Sequence, residues 1–254
     1  MKTLLIVIAI IAVGGGICLA AQNALPGDIL YPIKVGVTEK IFASPEKLAL
    51  QRLEEFEQLA VENNLNSGTA AKALDGFRKQ SLAMQNILDK KTDVQVIAET
   101  CSEFEGTLHA HVDILNTLKA QKPDKATFLT QIVDEVHEAI ASATQTRIQA
   151  ESKIIAEGRP ESEVGADAES TKHAAENALS AAKNILEANP LSTDTSRAEA
   201  TAQLHSAEEH FAEGNARINA KSFAGAFVAF QQALRSAKEV GERVSVISSL
   251  KLPQ

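Results

Sequence analysis

The sequence predicts an all-α protein, an elongated antiparallel bundle of helices and helical hairpins behind an N-terminal signal or anchor helix. Three observations carry that expectation. From about residue 45 onward apolar residues recur three and four apart, which lines them up on one face of a helix. The packing residues are mainly alanine and leucine, with one Tyr and no Trp, so the aromatic and β-branched residues that sheets favour are comparatively sparse. The seven prolines fall at starts, at breaks or in the C-terminal tail, and none interrupts a proposed helix.

Taken in order, Met1-Lys2-Thr3 is a minimal positive segment and Leu4 to Val13 a ten-residue apolar run, the pattern of an export signal. Apolar character continues to Ala21, so the 18 residues from Leu4 to Ala21 are also just long enough for a transmembrane helix. Residues 1–21 are therefore a signal peptide or an anchor, with cleavage expected after Ala20 if it occurs. Ile17 is too bulky for lipoprotein processing at Cys18. With Lys2 on the inner side, the body faces outward.

Pro26-Gly27 suits the centre of a type II turn, because Pro presets φ at the first position and Gly accepts positive φ at the second. Pro32 can then open a short helix reaching Ala43. Ser44-Pro45-Glu46 is a restart signal of hydroxyl cap, proline and first-turn acid, predicting a helix to about Glu62 with Ala49, Leu53, Phe56 and Ala60 inward. Asn63 to Gly68 reads as a loop. Leu74, Phe77, Ser81, Met84 and Leu88 mark the next helix. Val94, Ile97, Cys101, Phe104, Leu108, His111, Leu115 and Leu118 then keep a heptad rhythm, which Lys122-Pro123-Asp124 stops. Leu129, Ile132, Val136, Ile140, Ala143, Ala150 and Ile154 mark a helix of some thirty residues, ended near Gly158-Arg159-Pro160.

A link from Glu161 to Gly165 precedes an alanine-rich helix from about Ala166 to Ala188, with Ala175, Ala178, Ala182 and Ile185 inward. Thr193, Asp194 or Ser196 can cap the next, which carries Leu204, Ala207, Phe211, Gly214 and Ile218. The last carries Phe223, Ala226, Phe230, Ala233, Ala237, Val240, Val244 and Ile247. The expected division is 1–21 leader, 22–160 joint and long-helix bundle, and 161–254 alanine-rich hairpins. Gly214, Phe223, Ala226, Phe230 and Ala233 follow the spacing of a single tetratricopeptide-like hairpin at 207–236. No second copy accompanies it, and a groove of that kind needs about three repeats.

Charge and motifs narrow the function classes. A net charge of −8 without a basic block argues against nucleic acid as a partner and leaves membrane attachment to the N-terminal segment. Cys18 and Cys101 cannot form a disulfide framework, and Cys101 on an apolar stripe reads as a small core residue. The six histidines include two helical pairs, His173 with Glu176 and His205 with Glu208, that share faces as ligands in a metal-binding bundle do. The di-iron pattern has the opposite order, so paired surface residues are the simpler reading. Acidic pairs such as Glu54-Glu55 and Glu208-Glu209 read as solvated faces. No nucleophile elbow, phosphate loop or cysteine cluster is present, so neither catalytic residues nor a cofactor is expected.

The string Leu25-Pro26-Gly27-Asp28-Ile29-Leu30-Tyr31-Pro32-Ile33-Lys34, followed by Glu39 and by Arg52-Leu53-Glu54-Glu55, resembles domain of unknown function 5667, a bacterial extracytoplasmic family. The resemblance covers about residues 21–60 and implies a helical domain directly after an export leader or anchor; it implies no activity. The physical role expected of Leu25, Pro26, Gly27, Asp28, Tyr31, Pro32 and Lys34 is structural, a rigid turn with Tyr31 packed on the first body helix or at the headgroup level. Asp28, Tyr31 and Lys34 as a recognition patch is the alternative. The sequence thus points to an exported or membrane-anchored non-enzymatic helical protein acting through a protein partner or as an envelope scaffold. A metal- or small-ligand-binding bundle using His109, His111, His137, His173 or His205 is the alternative, and a sensory ectodomain is the third reading.

Overall fold

The computed structural model describes residues 24–35, 44–156, 160–189 and 194–250. The leader with its cleavage site, most of the short helix expected after Pro32, and the Gly158-Arg159 break lie outside the described residues. Among the described residues there is no strand, and none of the helices is long and apolar enough to cross a membrane. Among the described residues, a single helical turn at Tyr31–Ile33 is followed by seven α-helices: α1 (Pro45–Val61), α2 (Ser67–Leu88), α3 (Val94–Gln121), α4 (Ala126–Ile154), α5 (Glu161–Ala188), α6 (Asp194–Asn219) and α7 (Phe223–Leu250). The protein is all-α, as its periodicity predicts.

Local chemistry sets most of the boundaries. Ser44 caps α1 by accepting from Lys47 N at 3.4 Å, and the Asp93 carboxylate caps α3 by accepting from Gln95 N and Val96 N. Two boundaries differ from expectation. The loop expected through Gly68 ends earlier, because Asn66 Oδ1 accepts from Gly68 N and Thr69 N and starts α2 at Ser67. The expected link from Glu161 to Gly165 is the first turn of α5 and its continuation. Glu161 and Glu163 suit the positive end of that helix, and the Phe223 ring packs over Gly165.

The chain forms two compact units, one ending at Met84 and one beginning at Gln85, so the division falls inside α2 and not at residue 160. In the first, Ala49, Leu53, Phe56 and Ala60 of α1 are fully buried, the face the sequence marked. In the second, α7 packs against α3, α5 and α6, while α3 also packs on α4. The last helix is therefore the common partner of helices from both sides of the 160 break, which is why that break separates nothing.

Covered by both α4 and α7, α3 buries more than the single seam its heptads suggest. Ala98, Ser102, Gly106, Ala110 and Ile114 are buried beside the stripe from Ile97 to Leu118, and Cys101 is a fully enclosed core residue. Close approach to α7 is possible because a Cβ on Gly106 would lie 2.6 Å from the Arg235 carbonyl oxygen. The α6–α7 hairpin uses Gly214 in the same way: an added Cβ would meet the Phe230 ring at 2.4 Å. Phe211 stacks on Phe230 at 5.4 Å between centroids, tilted by 55°. The tetratricopeptide-like spacing is realised as one helix pair.

Candidate functional site

Two residues of the LPGD string, Tyr31 and Lys34, reach one buried ion cluster in the first unit. Gly27 adopts φ +114°, which a side chain would resist, and Asp28 N donates to Leu25 O at 2.9 Å. The Asp28 carboxylate accepts from Leu25 N at 2.7 Å, closing the turn a second time. From the next turn, the Tyr31 hydroxyl donates to Glu55 Oε2 at 3.1 Å, and Lys34 Nζ lies 2.5 Å from Glu55 Oε1. Lys34 Nζ also donates to the Ala24 carbonyl at 3.1 Å.

Helix α1 supplies the other half. Arg52 NH1 reaches both oxygens of Glu55, at 2.6 and 2.5 Å, one helical turn away. Its guanidinium carbon sits over the Tyr31 ring, 5.4 Å from the centroid, and Gly76 of α2 makes room for its stem. Lys34, Arg52 and Glu55 are all at most 3 % exposed. Charges at that depth persist only when paired and hydrogen-bonded, and here a single carboxylate receives Tyr31, Lys34 and Arg52. The arrangement clamps the segment from Ala24 to Lys34 onto α1.

Of the motif residues, the structure thus brings together Tyr31 and Lys34 with Arg52 and Glu55, while Leu25, Gly27 and Asp28 form the turn and Pro32 is exposed. Reading Glu54-Glu55 as a solvated pair is corrected for Glu55, which is buried; Glu54 is exposed. The signal was present in the helical register, since Arg52 and Glu55 stand three apart beside the inward Leu53 and Phe56.

The histidine pairs lie elsewhere and apart. His173 Nδ1 is 3.8 Å from Glu176 Oε2 on α5, and His205 Nδ1 is 3.8 Å from Glu208 Oε2 on α6, both imidazoles more than two-thirds exposed. Glu208 also meets Lys183 at 2.6 Å, and the bond from Lys183 holds its carboxyl below the ordinary range. His109 and His137 are exposed, whereas His111 is fully enclosed in the core. Among the described residues no three His, Cys, Asp or Glu side chains are grouped as a metal site requires.

The second unit has its own buried charges. Arg147 of α4 donates to Glu105 of α3 at 2.7 Å and to Glu151 at 2.8 Å, and Arg235 of α7 approaches Glu151 at 3.7 Å. Burial pulls the Arg147 pKa down, but the bonds from Glu105 and Glu151 outweigh it and the net direction is upward. For Arg235 burial dominates, reinforced by the Arg147 charge, and the direction is downward. One turn away, Ser102 Oγ donates to Gln231 Oε1 at 2.5 Å between α3 and α7. A groove of about 520 Å³ between α3, α5 and α7 has a floor of Ala178, Ala182, Ala237 and Gly241. Glu103 and Lys238, 3.3 Å apart, flank it. Asn177, Glu242 and Ser245 also line it.

No family model, curated protein or solved structure matches this chain.

Proposed function

We propose that this chain is an exported, non-enzymatic helical protein, held to the membrane by its N-terminal segment or released from it, that works through a protein partner or as a scaffold of the cell envelope. The observation that carries the reading is the clamp. Tyr31 and Lys34, two of the three residues that would form a recognition patch, spend their polar atoms on Glu55 and on the Ala24 carbonyl. The motif accordingly serves geometry: it fixes the direction in which the chain leaves the leader relative to α1. Long helices and an alanine-floored groove suit a spacer or docking body better than a reaction site.

The test is a Tyr31→Ala/Lys34→Ala double variant, compared with the parent for thermal stability and for crosslinked partners in intact cells. The expected result is a midpoint lowered by several degrees, because Glu55 keeps only Arg52 of its three described donors and the Ala24 carbonyl loses Lys34. An unchanged midpoint together with loss of a crosslinked partner would overturn the structural role and favour a recognition patch. Fractionation with intact-mass measurement decides attachment: a full-length species in the membrane means a tether, and a soluble species starting at Ala21 means release.

A further inference from the structure

In the segment that carries the clamp a lysine is buried while apolar side chains and the Asp28 carboxylate face outward. Lys34 is 3 % exposed, and Tyr31 turns its hydroxyl onto Glu55. Ile29, by contrast, is 93 % exposed, the highest value among the exposed large apolar side chains of the described residues, and Val35 is 38 % exposed. Pro32 is exposed between them, and the neighbouring Asp28 carboxylate is engaged by the Leu25 amide. A lone exposed isoleucine is ordinary on a protein surface. Three exposed apolar residues on a rigid turn whose lysine is buried call for an apolar neighbour.

The chain itself says where that neighbour lies. The apolar run Leu4 to Ala21 ends three residues before Ala24, a stretch that spans at most about 11 Å when extended. Ala24 is pinned, since it is buried and its carbonyl accepts from Lys34 Nζ. Each headgroup layer of a bilayer is about 5–8 Å thick. A chain whose apolar run spans the membrane therefore keeps this turn at or just above the lipid surface. We infer that Ile29, with Pro32 and Val35 beside it, seats in the headgroup layer of the bilayer, so that the protein is held by its turn as well as by its N-terminal segment. This rests on the membrane-held form of the proposed function. The attraction is apolar, because the chain carries a net charge of −8 and gains nothing from anionic lipid.

The absence of Trp supplies a clean test. Full-length Ile29→Trp protein is reconstituted into phosphatidylcholine vesicles containing lipids brominated near the headgroup. A Ser67→Trp protein is the control: Ser67 is exposed and close to the turn, since Thr69 lies against Gly27, but it is off the apolar rim. The expected result is flotation of both proteins, with the emission at position 29 blue-shifted and quenched about twofold more than at position 67, equally at low and high salt. Both proteins floating with equal quenching, or quenching that high salt abolishes, would overturn the seating while leaving the anchor intact. Failure of both to float would overturn the membrane-held reading and the seating with it. Because position 29 faces solvent, the substitution leaves the fold intact, and an unchanged thermal midpoint verifies this.

Discussion

Both compact units bury a network of arginines and glutamates, but the two networks stand in different surroundings. In the first, Glu55 holds Tyr31 and Lys34 from a segment whose described residues include one short helical turn. In the second, Arg147 joins Glu105 and Glu151 within long helices that already bury Phe104, Leu108, Val136, Ala233 and Val240. The physics of a buried ion pair is the same in both: desolvation offsets much of the attraction, and what is costly is to leave one partner alone. The surroundings decide what the pair is for. Around Glu55 the charges replace apolar packing and hold a chain segment in place. Around Arg147 they sit in a core that is cohesive without them and set the alignment of α3 on α4.

The largest effect tests that difference directly. Glu55→Leu leaves Lys34 and Arg52 buried without the carboxylate that both contact and is expected to destabilise the first unit by about 3–5 kcal/mol. Arg147→Met should cost about as much, since Glu105 loses its donor. The double variants then diverge. Glu105→Leu with Arg147→Met removes both charges, leaves the Glu151–Arg235 contact, and should return to within about 1 kcal/mol of the parent. Lys34→Met with Glu55→Leu should not recover, because Arg52 stays buried and the Ala24 carbonyl loses its donor. Urea unfolding followed by hydrogen exchange on each unit separates the cases. Equal recovery of the two doubles would dissolve the distinction.

How much of this was legible follows from the same contrast. Helix positions and inward faces are local, and Ser44, Pro45, Lys122-Pro123 and the stripes of Leu53, Phe56, Leu108 and Leu115 announced them. Glu55 was misread because a carboxylate on a helix reads as solvated until its partners are known, and Tyr31 and Lys34 arrive from more than twenty residues away. The central place of α7 was invisible for a related reason: Ala226, Phe230 and Val240 declare an apolar face but not which helices cover it. The start of α5 was misplaced because Glu and Gly were weighed as link residues, and Phe223 over Gly165 is a tertiary contact.

A second, smaller effect compares how closely helices approach in each unit. Alanine is favoured over glycine by about 1 kcal/mol in a helix interior, so Gly→Ala should stabilise wherever there is room. At Gly106 there is none: the new Cβ would fall 2.6 Å from the Arg235 carbonyl oxygen and close to Glu239 N, and backbone cannot swing aside. A net loss of about 1–3 kcal/mol is expected from the forced separation of α3 and α7. At Gly76 the obstacle is the Arg52 stem, with Cδ at 2.8 Å, a side chain that could bend were it not held by Glu55. Gly76→Ala should therefore lose less than Gly106→Ala, and combining it with Glu55→Leu should be less harmful than the two effects added. Strict additivity in chemical denaturation would show that the clamp does not hold the arginine in place.

The smallest effect lies at the edge of the second unit, where a charge is neither exposed nor fully paired. Glu239 of α7 is pushed above the ordinary carboxylate range chiefly by burial. Asp113 pushes the same way, while a hydrogen bond from Gln203 and the charges of His109 and Arg243 oppose it. A carboxyl whose pKa is raised on folding binds more protons in the folded state, so its contribution to stability falls as pH rises from the unfolded value through the folded one. The loss is complete once the pH is above the folded value. Glu239→Gln does not ionise and should be more stable than the parent at pH 7, with the advantage fading below the ordinary carboxylate range. Thermal midpoints measured across pH read this directly. Asp113, 3.3 Å from Arg243 NH1, and Glu199, 2.7 Å from Arg243 NH2, remain in the variant, so a gain at neutral pH isolates the cost of burying Glu239. A loss there would mean that the Gln203 and Arg243 contacts outweigh burial, making Glu239 a stabilising charge like Glu55.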